Sequence, residues 1–227
     1  MISVDALIPA YNEAATIDEV VRGIRPLVRS VTVVDDGSTD GTADRARQAG
    51  AEIIRKAQNG GKGAALRDGL AAVLAGSCSH VLLMDGDLQH LPLEASALID
   101  VARRTGADLV IGERQFDRGE MPAARYYANR VGSAILSSFV GTTVRDTQCG
   151  FRLFSADALR RLTLVGSGYD IETEMLVKLR RVGGRIAAAP VTAVYGGSRS
   201  KLRPVRDTTR TCFLAVYYRF LEPWLKP

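Results

Sequence analysis

Cysteine is scarce in this sequence. The 227 residues contain three cysteines, Cys78, Cys149 and Cys212. They lie far apart and form no CxxC pair, so the sequence indicates neither a disulfide framework nor a zinc site. Met1 is followed within two residues by the first predicted strand, which leaves no room for a signal peptide. These features predict a protein of the reducing cytoplasm.

Long apolar runs are also absent, and no segment approaches the roughly 20 residues needed to span a bilayer. The hydrophobic fraction is 46% and the charged fraction 24%, as in ordinary globular proteins, so the composition does not indicate disorder. A chain of this length suits one large α/β domain with a full hydrophobic core. We predict a main domain over residues 1–205. An amphipathic helix is predicted over 206–227, packed on that domain or on a membrane surface.

Motifs of two common nucleotide-binding classes are missing. The sequence lacks Gly-x-x-x-x-Gly-Lys-Ser/Thr, and its glycine-rich loop at 60–63 is not the dinucleotide fingerprint. A P-loop hydrolase and a dehydrogenase are therefore disfavoured. The net charge of +5 permits a phosphorylated partner or an anionic membrane. Nucleic acid is not predicted as a partner, because the basic residues are not interleaved with aromatic ones.

The most unusual segment is an apolar run that starts at His80 and ends in Asp85-Gly86-Asp87. Its length and character predict a strand buried on both faces, whose last residues emerge at the carboxyl edge of a sheet. Two carboxylates on one face of an extended backbone repel each other, and a hard divalent cation such as Mg²⁺ or Mn²⁺ removes that conflict. A lone Asp-x-Asp is more often a solvated turn, so the rest of the chain must decide.

Strand and helix patterns alternate through the first half of the chain. They predict an α/β fold with a mostly parallel central sheet flanked by helices. Three predicted strands end in polar or acidic residues, and parallel strands end at one edge, so one pocket is expected there. In that pocket Asp36 can accept hydrogen bonds from a ribose or a base, Tyr11 offers a flat ring, and Glu13 offers an acceptor. This arrangement is typical of a nucleotide-diphosphate site.

Five motifs in chain order carry a resemblance to a known family. They are Pro9-Ala10-Tyr11-Asn12-Glu13, Val34-Asp35-Asp36-Gly37-Ser38-Thr39-Asp40-Gly41-Thr42, Asn59 with Lys62-Gly63, Asp85-Gly86-Asp87-Leu88-Gln89, and Asp146 with Gly150-Phe151-Arg152. Together they resemble the family 2 inverting glycosyltransferases of the GT-A fold. The resemblance is closest to the dolichyl- or polyprenyl-phosphate mannosyl- and glucosyltransferases. It covers nearly the whole chain and is more specific for the family than for the sugar.

The resemblance implies roles for the residues at matching positions. Asp85, Asp87 and Gln89 are implied to hold Mg²⁺ or Mn²⁺, and Arg130 and Ser133 to contact the phosphate of the acceptor. The implied catalytic residues are Asp87, Asp146 and Lys201. The residues expected to bind the nucleotide sugar, with Lys62 added because of its place in the glycine-rich loop, are Pro9, Tyr11, Glu13, Val34, Asp36, Lys62, Asp85, Gly86, Gln89, Arg114 and Arg199.

A basic loop near the end of the main domain resembles the loop that covers the donor in this family. It contains Ser200-Lys201-Leu202. The family's eukaryotic members carry an arginine where this chain has Ala193, and Arg199 is expected to substitute for it. The predicted partners are thus a nucleotide-sugar donor and a lipid-phosphate acceptor, and the oligomeric state stays open.

Basic side chains in the later part of the chain have two interpretations. They form either a solvated cationic face or a surface that contacts an anionic membrane peripherally at its cytoplasmic face. The apolar stretch from Phe213 to Leu221 fits core packing and membrane contact equally well. The basic residues are Arg125, Arg130, Arg199, Lys201, Arg203, Arg206 and Arg210.

The role of Asp146 depends on the acceptor. A phosphate monoester is mostly dianionic at neutral pH and needs no general base, which leaves Asp146 an orienting role. An alcohol acceptor would make Asp146 the base, and a simple turn-capping aspartate is a third interpretation. Two alternatives from other classes are a non-catalytic module that binds nucleotide or lipid phosphate, and a metal-dependent phosphatase. The phosphatase is weaker, because its acids would be expected after the first strand, where Pro9-Ala10-Tyr11 stands.

Overall fold

The computed structural model describes residues 2–114, 123–142, 144–192, 194, 213 and 217, and only the backbone of 123–129. Strands and helices alternate along the chain, as the sequence predicts. The strands are β1 Val4–Ala10, β2 Ser30–Asp35, β3 Glu52–Arg55, β4 His80–Leu83, β5 Leu109–Arg114, β6 Arg152–Ser155 and β7 Ile186–Val191. The α-helices are α1 Ile17–Ile24, α2 Thr42–Gln48, α3 Lys62–Leu74, α4 Ala95–Thr105, α5 Ala123–Val140, α6 Ala156–Arg160 and α7 Ile171–Arg181.

The described strands form one sheet with the order β3-β2-β1-β4-β6-β5-β7. Strand β6 runs antiparallel to its neighbours β4 and β5, and the other pairs are parallel. This confirms the predicted α/β class and the mostly parallel sheet. The carboxyl ends of the parallel strands therefore share one edge. The reversed β6 brings its first residue, Arg152, to that same edge.

The core lies on both faces of the sheet. Strand residues such as Leu82 and Val33 have no solvent exposure, which fits strands covered by helices on both sides. Helix α3 packs closely across β1 and β2 at Gly69, where an added Cβ would overlap Leu7 and lie 2.8 Å from the Val34 side chain. Val34 is thus a core residue of β2, covered by α3.

Helix α1 begins differently from the sequence prediction. Thr16 and Glu19 have the spacing of a capping box. Thr16 is the N-cap residue, but its side chain makes no capping hydrogen bond, so the capping box is wrong. Its hydroxyl instead donates to the backbone oxygen of Gly86 at 2.6 Å. The start of α1 is thereby tied to the Asp85–Asp87 turn.

The tail lies largely outside the described residues. Of the predicted helix over 206–227, the structure describes Phe213, which is exposed, and Tyr217, which packs against the core. The division at residue 205 therefore stays a prediction. Among helices in the described ranges, none combines the length and the apolar character that crossing a membrane requires.

Candidate functional site

A cavity of about 560 Å³ opens at the carboxyl edge of the sheet. It is lined mainly by residues that follow β1, β2 and β4, together with the start of α3 and the loop before α7. The lining residues are Pro9, Ala10, Tyr11, Asn12, Glu13, Asp36, Asn59, Gly61, Lys62, Ala65, Asp85, Gly86, Asp87, Gln89, Gly168 and Tyr169. The cavity therefore brings together most of the residues that the sequence assigns to the nucleotide sugar.

The loops after β1 and β2 are fastened to each other. The backbone N–H of Asn12 donates to the Ser38 hydroxyl, and that of Glu13 donates to the Thr42 hydroxyl, both at 2.9 Å. Asn12 has a positive φ of 56°, a conformation that asparagine tolerates better than most residues. These bonds hold Tyr11 and Glu13 at the cavity wall.

Asp36 is buried and shapes the glycine-rich loop. Its carboxylate accepts hydrogen bonds from the backbone N–H of Gly60 and of Gly61, the latter at 2.7 Å. Lys56 forms an ion pair with the same carboxylate at 2.8 Å. Asp36 lines the cavity as expected, but its charge is already balanced by Lys56. Its contact with a ribose or base stays a prediction.

Lys62 lies between two carboxylates. Its Nζ is 2.6 Å from Asp85 Oδ1 and 2.6 Å from Glu172 Oε1. Burial alone would lower the pKa of the Lys62 ammonium, but the charges of Asp85 and Glu172 outweigh burial and raise that pKa above its ordinary value. Burial would raise the pKa of Asp85, yet the Lys62 charge lowers it overall. Lys62 and Asp85 are therefore both ionised at neutral pH.

The charge of Asp87 is less well neutralised by neighbouring groups than that of Asp85. Gln89 donates to Asp87 twice, from the backbone N–H at 3.1 Å and from the side-chain amide at 2.7 Å. Burial and then the charge of Asp85 raise the pKa of the Asp87 carboxyl. The ionised Asp87 carboxylate is thus partly desolvated and lies beside another anion, and a bound cation would stabilise its charge.

The oxygen atoms at the Asp85–Asp87 turn are suitable ligands for a hard divalent cation. Asp85 and Asp87 supply carboxylate oxygens at one wall of the cavity, which is the ligand chemistry of Mg²⁺ and Mn²⁺. Gly150 leaves space beside them, since an added Cβ would lie 2.5 Å from Asp85 Oδ2. Within the described ranges no group of three or more His, Cys, Asp or Glu side chains forms a metal site. Such an ion would therefore need further ligands from water or substrate.

Asp146 and Arg114 form a buried pair beside the cavity. Arg114 Nε is 2.5 Å from Asp146 Oδ2, and Nη2 is 3.0 Å from Oδ1, so the contact is bidentate. The Asp146 side chain is 1% exposed and that of Arg114 is 10% exposed. Neither residue lines the cavity. The structure thus joins two predicted site residues to each other.

Ser133 and Val34 lie away from the cavity. The Ser133 side chain is buried, and its hydroxyl accepts a hydrogen bond from the Thr147 backbone N–H at 3.1 Å. This bond ties α5 to the loop that carries Asp146. Arg130 is exposed one turn earlier on α5. The predicted contacts of Ser133 and Arg130 with an acceptor and of Val34 with the nucleotide stay predictions, as do the roles of Lys201 and Arg199, which lie outside the described residues.

Three residues at the site were assigned no role from the sequence. Glu172 pairs with Lys62, Tyr169 lines the cavity with its ring 5.7 Å from Lys62 Nζ, and Arg152 lies buried at the sheet edge. Glu172 and Tyr169 come more than 80 residues after the Asp85–Asp87 turn, so no local spacing connects them. The signal available was the Gly150-Phe151-Arg152 motif, which contains Arg152 without indicating its contacts.

Cys149 and His90 form a second buried contact nearby. The Cys149 Sγ is 3.5 Å from His90 Nε2, and the His90 ring stacks on Phe151. Burial and then Asp146 raise the pKa of the Cys149 thiol to about 12, while burial and then Arg114 lower that of His90 to about 4. Both groups are neutral at physiological pH. They pack behind the site rather than supplying a nucleophile.

Comparisons with known proteins give a consistent result. Residues 5–163 match the sequence profile of the family described as Glycosyl transferase family 2. The chain is 36% identical over 220 residues to glycosyltransferase AglJ of Haloferax volcanii, covering 94% of this chain and 70% of that protein. It is 32% identical over 201 residues to undecaprenyl-phosphate mannosyltransferase of Micrococcus luteus, covering 83% and 82% of the two chains.

The fold has matches among solved structures as well. One is glucosyl-3-phosphoglycerate synthase from Mycobacterium tuberculosis in complex with Mn²⁺, uridine diphosphate and glucosyl-3-phosphoglycerate. The TM-score is 0.76 at 28% sequence identity, and the match covers 96% of this chain and 79% of that chain. The sequence and structure comparisons therefore agree with the resemblance found in the motifs.

Proposed function

The chain belongs to glycosyl transferase family 2, and we propose that it moves a hexose from a nucleotide-diphosphate sugar to a polyprenyl phosphate with inversion. The donor is GDP-mannose or UDP-glucose. The family and the hexosyltransferase activity follow from the comparisons.

The shape of the cavity supports the donor. Asp36 and Asn59 lie at one part of its lining, where a nucleoside would bind, and Asp85, Asp87 and Lys62 supply the charged groups that a diphosphate requires. Tyr11 at the rim offers an aromatic face for the base. For most of the predicted donor-binding residues, the assignment therefore rests on the fact that they line the same cavity.

A divalent cation, Mg²⁺ or Mn²⁺, is proposed to be held by Asp85 and Asp87, with Gln89 orienting Asp87. When bound, it would neutralise the charge that develops on the departing diphosphate. The Mycobacterium tuberculosis synthase was solved with Mn²⁺, which supports a metal of this kind. Lys62 supplies a second positive charge in the same part of the cavity. Of the two acids in the turn, Asp85 pairs with Lys62, whereas Asp87 forms no ion pair with a described residue.

The Asp146–Arg114 pair is the observation that carries the choice of acceptor. Both oxygens of Asp146 are taken by Arg114, and the side chain is buried away from the cavity lining. A carboxylate held in this way is poorly placed to remove a proton from an acceptor hydroxyl. A phosphate acceptor, already a dianion near neutral pH, needs no such base. The name of the Micrococcus luteus relative, undecaprenyl-phosphate mannosyltransferase, supports the same acceptor class.

Residues outside the cavity complete the proposal. Arg130, exposed near the middle of α5, is proposed to contact the acceptor phosphate, with Ser133 holding α5 to the Asp146 loop. Lys201 is proposed as a catalytic residue and Arg199 as a donor-binding residue, as the resemblance implies. The lipid acceptor requires peripheral contact with a membrane, proposed at its cytoplasmic face. The basic residues beyond 198 are the candidates for that contact.

A second candidate keeps the donor but changes the acceptor to a hydroxyl of a small molecule. The structural match to glucosyl-3-phosphoglycerate synthase favours it. The two candidates are separated by supplying the purified protein with labelled GDP-mannose or UDP-glucose, Mn²⁺, and either polyprenyl phosphate or 3-phosphoglycerate. Our proposal predicts labelled sugar in the organic phase with polyprenyl phosphate. Label that appears only in a water-soluble product would favour the second candidate.

A further inference from the structure

Arg152 is a fully buried cation at the carboxyl edge of the sheet. Its guanidinium donates three hydrogen bonds, at 2.8 Å to the Cys149 carbonyl, 2.7 Å to the Glu172 carbonyl and 2.7 Å to the Thr147 carbonyl. All three acceptors are neutral backbone groups. Within the described part of the chain, no carboxylate forms an ion pair with Arg152.

A buried guanidinium of this kind is costly. Transfer of a charge from water to a protein interior is unfavourable, and an apolar side chain would fill the same space without that cost. Three planar donors, however, can bind carbonyls from separate segments at fixed angles, which neither lysine nor an apolar residue can do. The arrangement is therefore suited to fixing segments relative to each other.

The segments that Arg152 joins are the two that flank the charged part of the cavity. Thr147 and Cys149 belong to the loop that contains Asp146 and Gly150. Glu172 lies in the first turn of α7. Arg152 thus bonds the backbone of Glu172, whose side chain holds Lys62 at 2.6 Å.

Lys62 connects this network to the donor site. Its Nζ contacts Asp85 Oδ1 as well as Glu172, and it lines the cavity. The Asp146–Gly150 loop is also close to these charged groups, because Gly150 lies against Asp85, Glu172 and Lys62. A shift of the first turn of α7 relative to the loop would therefore move Lys62 relative to Asp85.

We propose that Arg152 is a positioning residue, which locks the Asp146–Gly150 loop to the first turn of α7 so that Glu172 aims Lys62 at the diphosphate of the donor. This inference rests on the proposed function, since it assumes a nucleotide-diphosphate donor. Arg152 itself touches neither the cavity nor the substrate. Its effect on the donor passes through Glu172 and Lys62.

A double-mutant cycle tests this coupling through binding rather than turnover. The dissociation constant of the nucleoside diphosphate, GDP or UDP, is measured by calorimetry with Mn²⁺ for wild type, Arg152→Lys, Lys62→Met and the double variant. We expect each single change to weaken binding about tenfold. In the Lys62→Met background, Arg152→Lys is expected to change the constant less than about twofold, because the group it positions is gone.

Arg180 provides a matched control. It lies on α7, the helix whose first turn Arg152 contacts, and like Arg152 it donates to carbonyls, here those of Val140 and Gly184. Arg180 is outside the cavity lining. Arg180→Lys is expected to leave the dissociation constant within about twofold of wild type in both backgrounds. Melting temperatures of all variants show whether any has lost its fold.

Two outcomes would overturn the inference. If Arg152→Lys weakens binding by the same factor with and without Lys62, Arg152 acts independently of Lys62. If Arg152→Lys and Arg180→Lys weaken binding equally, the effect is general to α7. A wild-type protein that binds neither GDP nor UDP would instead refute the proposed function on which the inference rests. Transfer to an unexpected acceptor would leave the cycle valid.

Discussion

Arg114 holds both carboxylate oxygens of Asp146 in a pair that is almost completely buried. The sequence assigned these residues separately, Arg114 to the donor and Asp146 to catalysis or turn capping. Their pairing shows instead that the two motifs stabilise each other's position. It also removes Asp146 from the set of free carboxylates at the site, which bears directly on the acceptor.

The first prediction concerns Asp146→Asn. This change leaves the buried Arg114 with a neutral partner, so the free energy of unfolding should fall by about 3 kcal/mol. Turnover of folded protein with polyprenyl phosphate should fall only about tenfold, less than the roughly 10²–10⁴-fold loss expected for a missing general base. Initial rates and their pH profile, measured well below the melting temperature, test this. If the turnover rate instead fell a thousandfold and the acid limb of the pH–rate profile disappeared, Asp146 would be identified as the base.

The second prediction concerns Lys62→Met. Asp85 and Glu172 then remain close together without their cation, which should destabilise the metal-free protein by about 3 kcal/mol. Added Mn²⁺ should restore part of that loss, because it can balance the two carboxylates. We therefore expect a larger rise in melting temperature with Mn²⁺ for this variant than for wild type.

Lys56→Met is the matched control for that experiment. Lys56 is also a largely buried lysine, but it is paired with Asp36 at 2.8 Å rather than with Asp85. Its removal should destabilise the protein without enlarging the Mn²⁺ response. Equal Mn²⁺ responses in the two variants would show that the metal does not bind near Asp85.

The third prediction concerns Asp87→Asn. Burial and Asp85 raise the pKa of Asp87 above that of the unfolded chain, so its ionisation costs the metal-free fold stability as the pH rises through that raised pKa. The variant should match wild type in acid and exceed its melting temperature by about 2 °C at neutral pH. Transfer activity should nevertheless be lost. Melting curves across this pH range test whether the variant becomes the more stable protein as the pH rises. A variant less stable than wild type at neutral pH would contradict this prediction.

The fourth prediction concerns Gly150→Ala. Its added Cβ would lie 2.5 Å from Asp85 Oδ2 and 3.1 Å from both Glu172 Oε1 and Lys62 Nζ. The methyl group should displace these charged groups and weaken nucleoside diphosphate binding about tenfold. Gly141→Ala is a poor control because of its positive φ, so Gly76→Ala, whose nearest neighbour would be 3.3 Å away, is preferred. If both variants bound the nucleoside diphosphate equally well, the space that Gly150 leaves beside Asp85 would not be needed for binding.

Much of the fold was readable from local patterns. Buried parallel strands appear as short apolar runs with turn residues at their ends, and these patterns predict the strands closely. The sequence pattern also predicts a helix over Ala123–Val140, which is α5. For the third strand the sequence pattern predicts Ala51–Ile54, and the structure has β3 one residue later, at Glu52–Arg55. Its single-residue shift reflects the weak boundary signal of a short edge strand. The Asp85–Asp87 turn was found because acids after an apolar run are locally unusual.

Long-range contacts were not readable in the same way. Nothing near Lys62 in sequence indicates Glu172, 110 residues later, and nothing near Arg114 indicates Asp146. These pairs form because β6 inserts between β4 and β5 and brings its preceding loop to the carboxyl edge. Thr16 shows the same limit, since tertiary contact with Gly86 replaced the local capping bond. Side-chain partners of this kind depend on topology, which local periodicity does not determine.

The most direct test of the account is transfer of sugar by the purified protein with Mn²⁺, labelled GDP-mannose or UDP-glucose, and polyprenyl phosphate. Wild type is compared with Asp87→Asn and with a metal-chelated sample. The account predicts a lipid-linked hexose in the organic phase for wild type, and none without the metal or without Asp87. Lipid-linked product formed equally well by the chelated sample or by Asp87→Asn would contradict it.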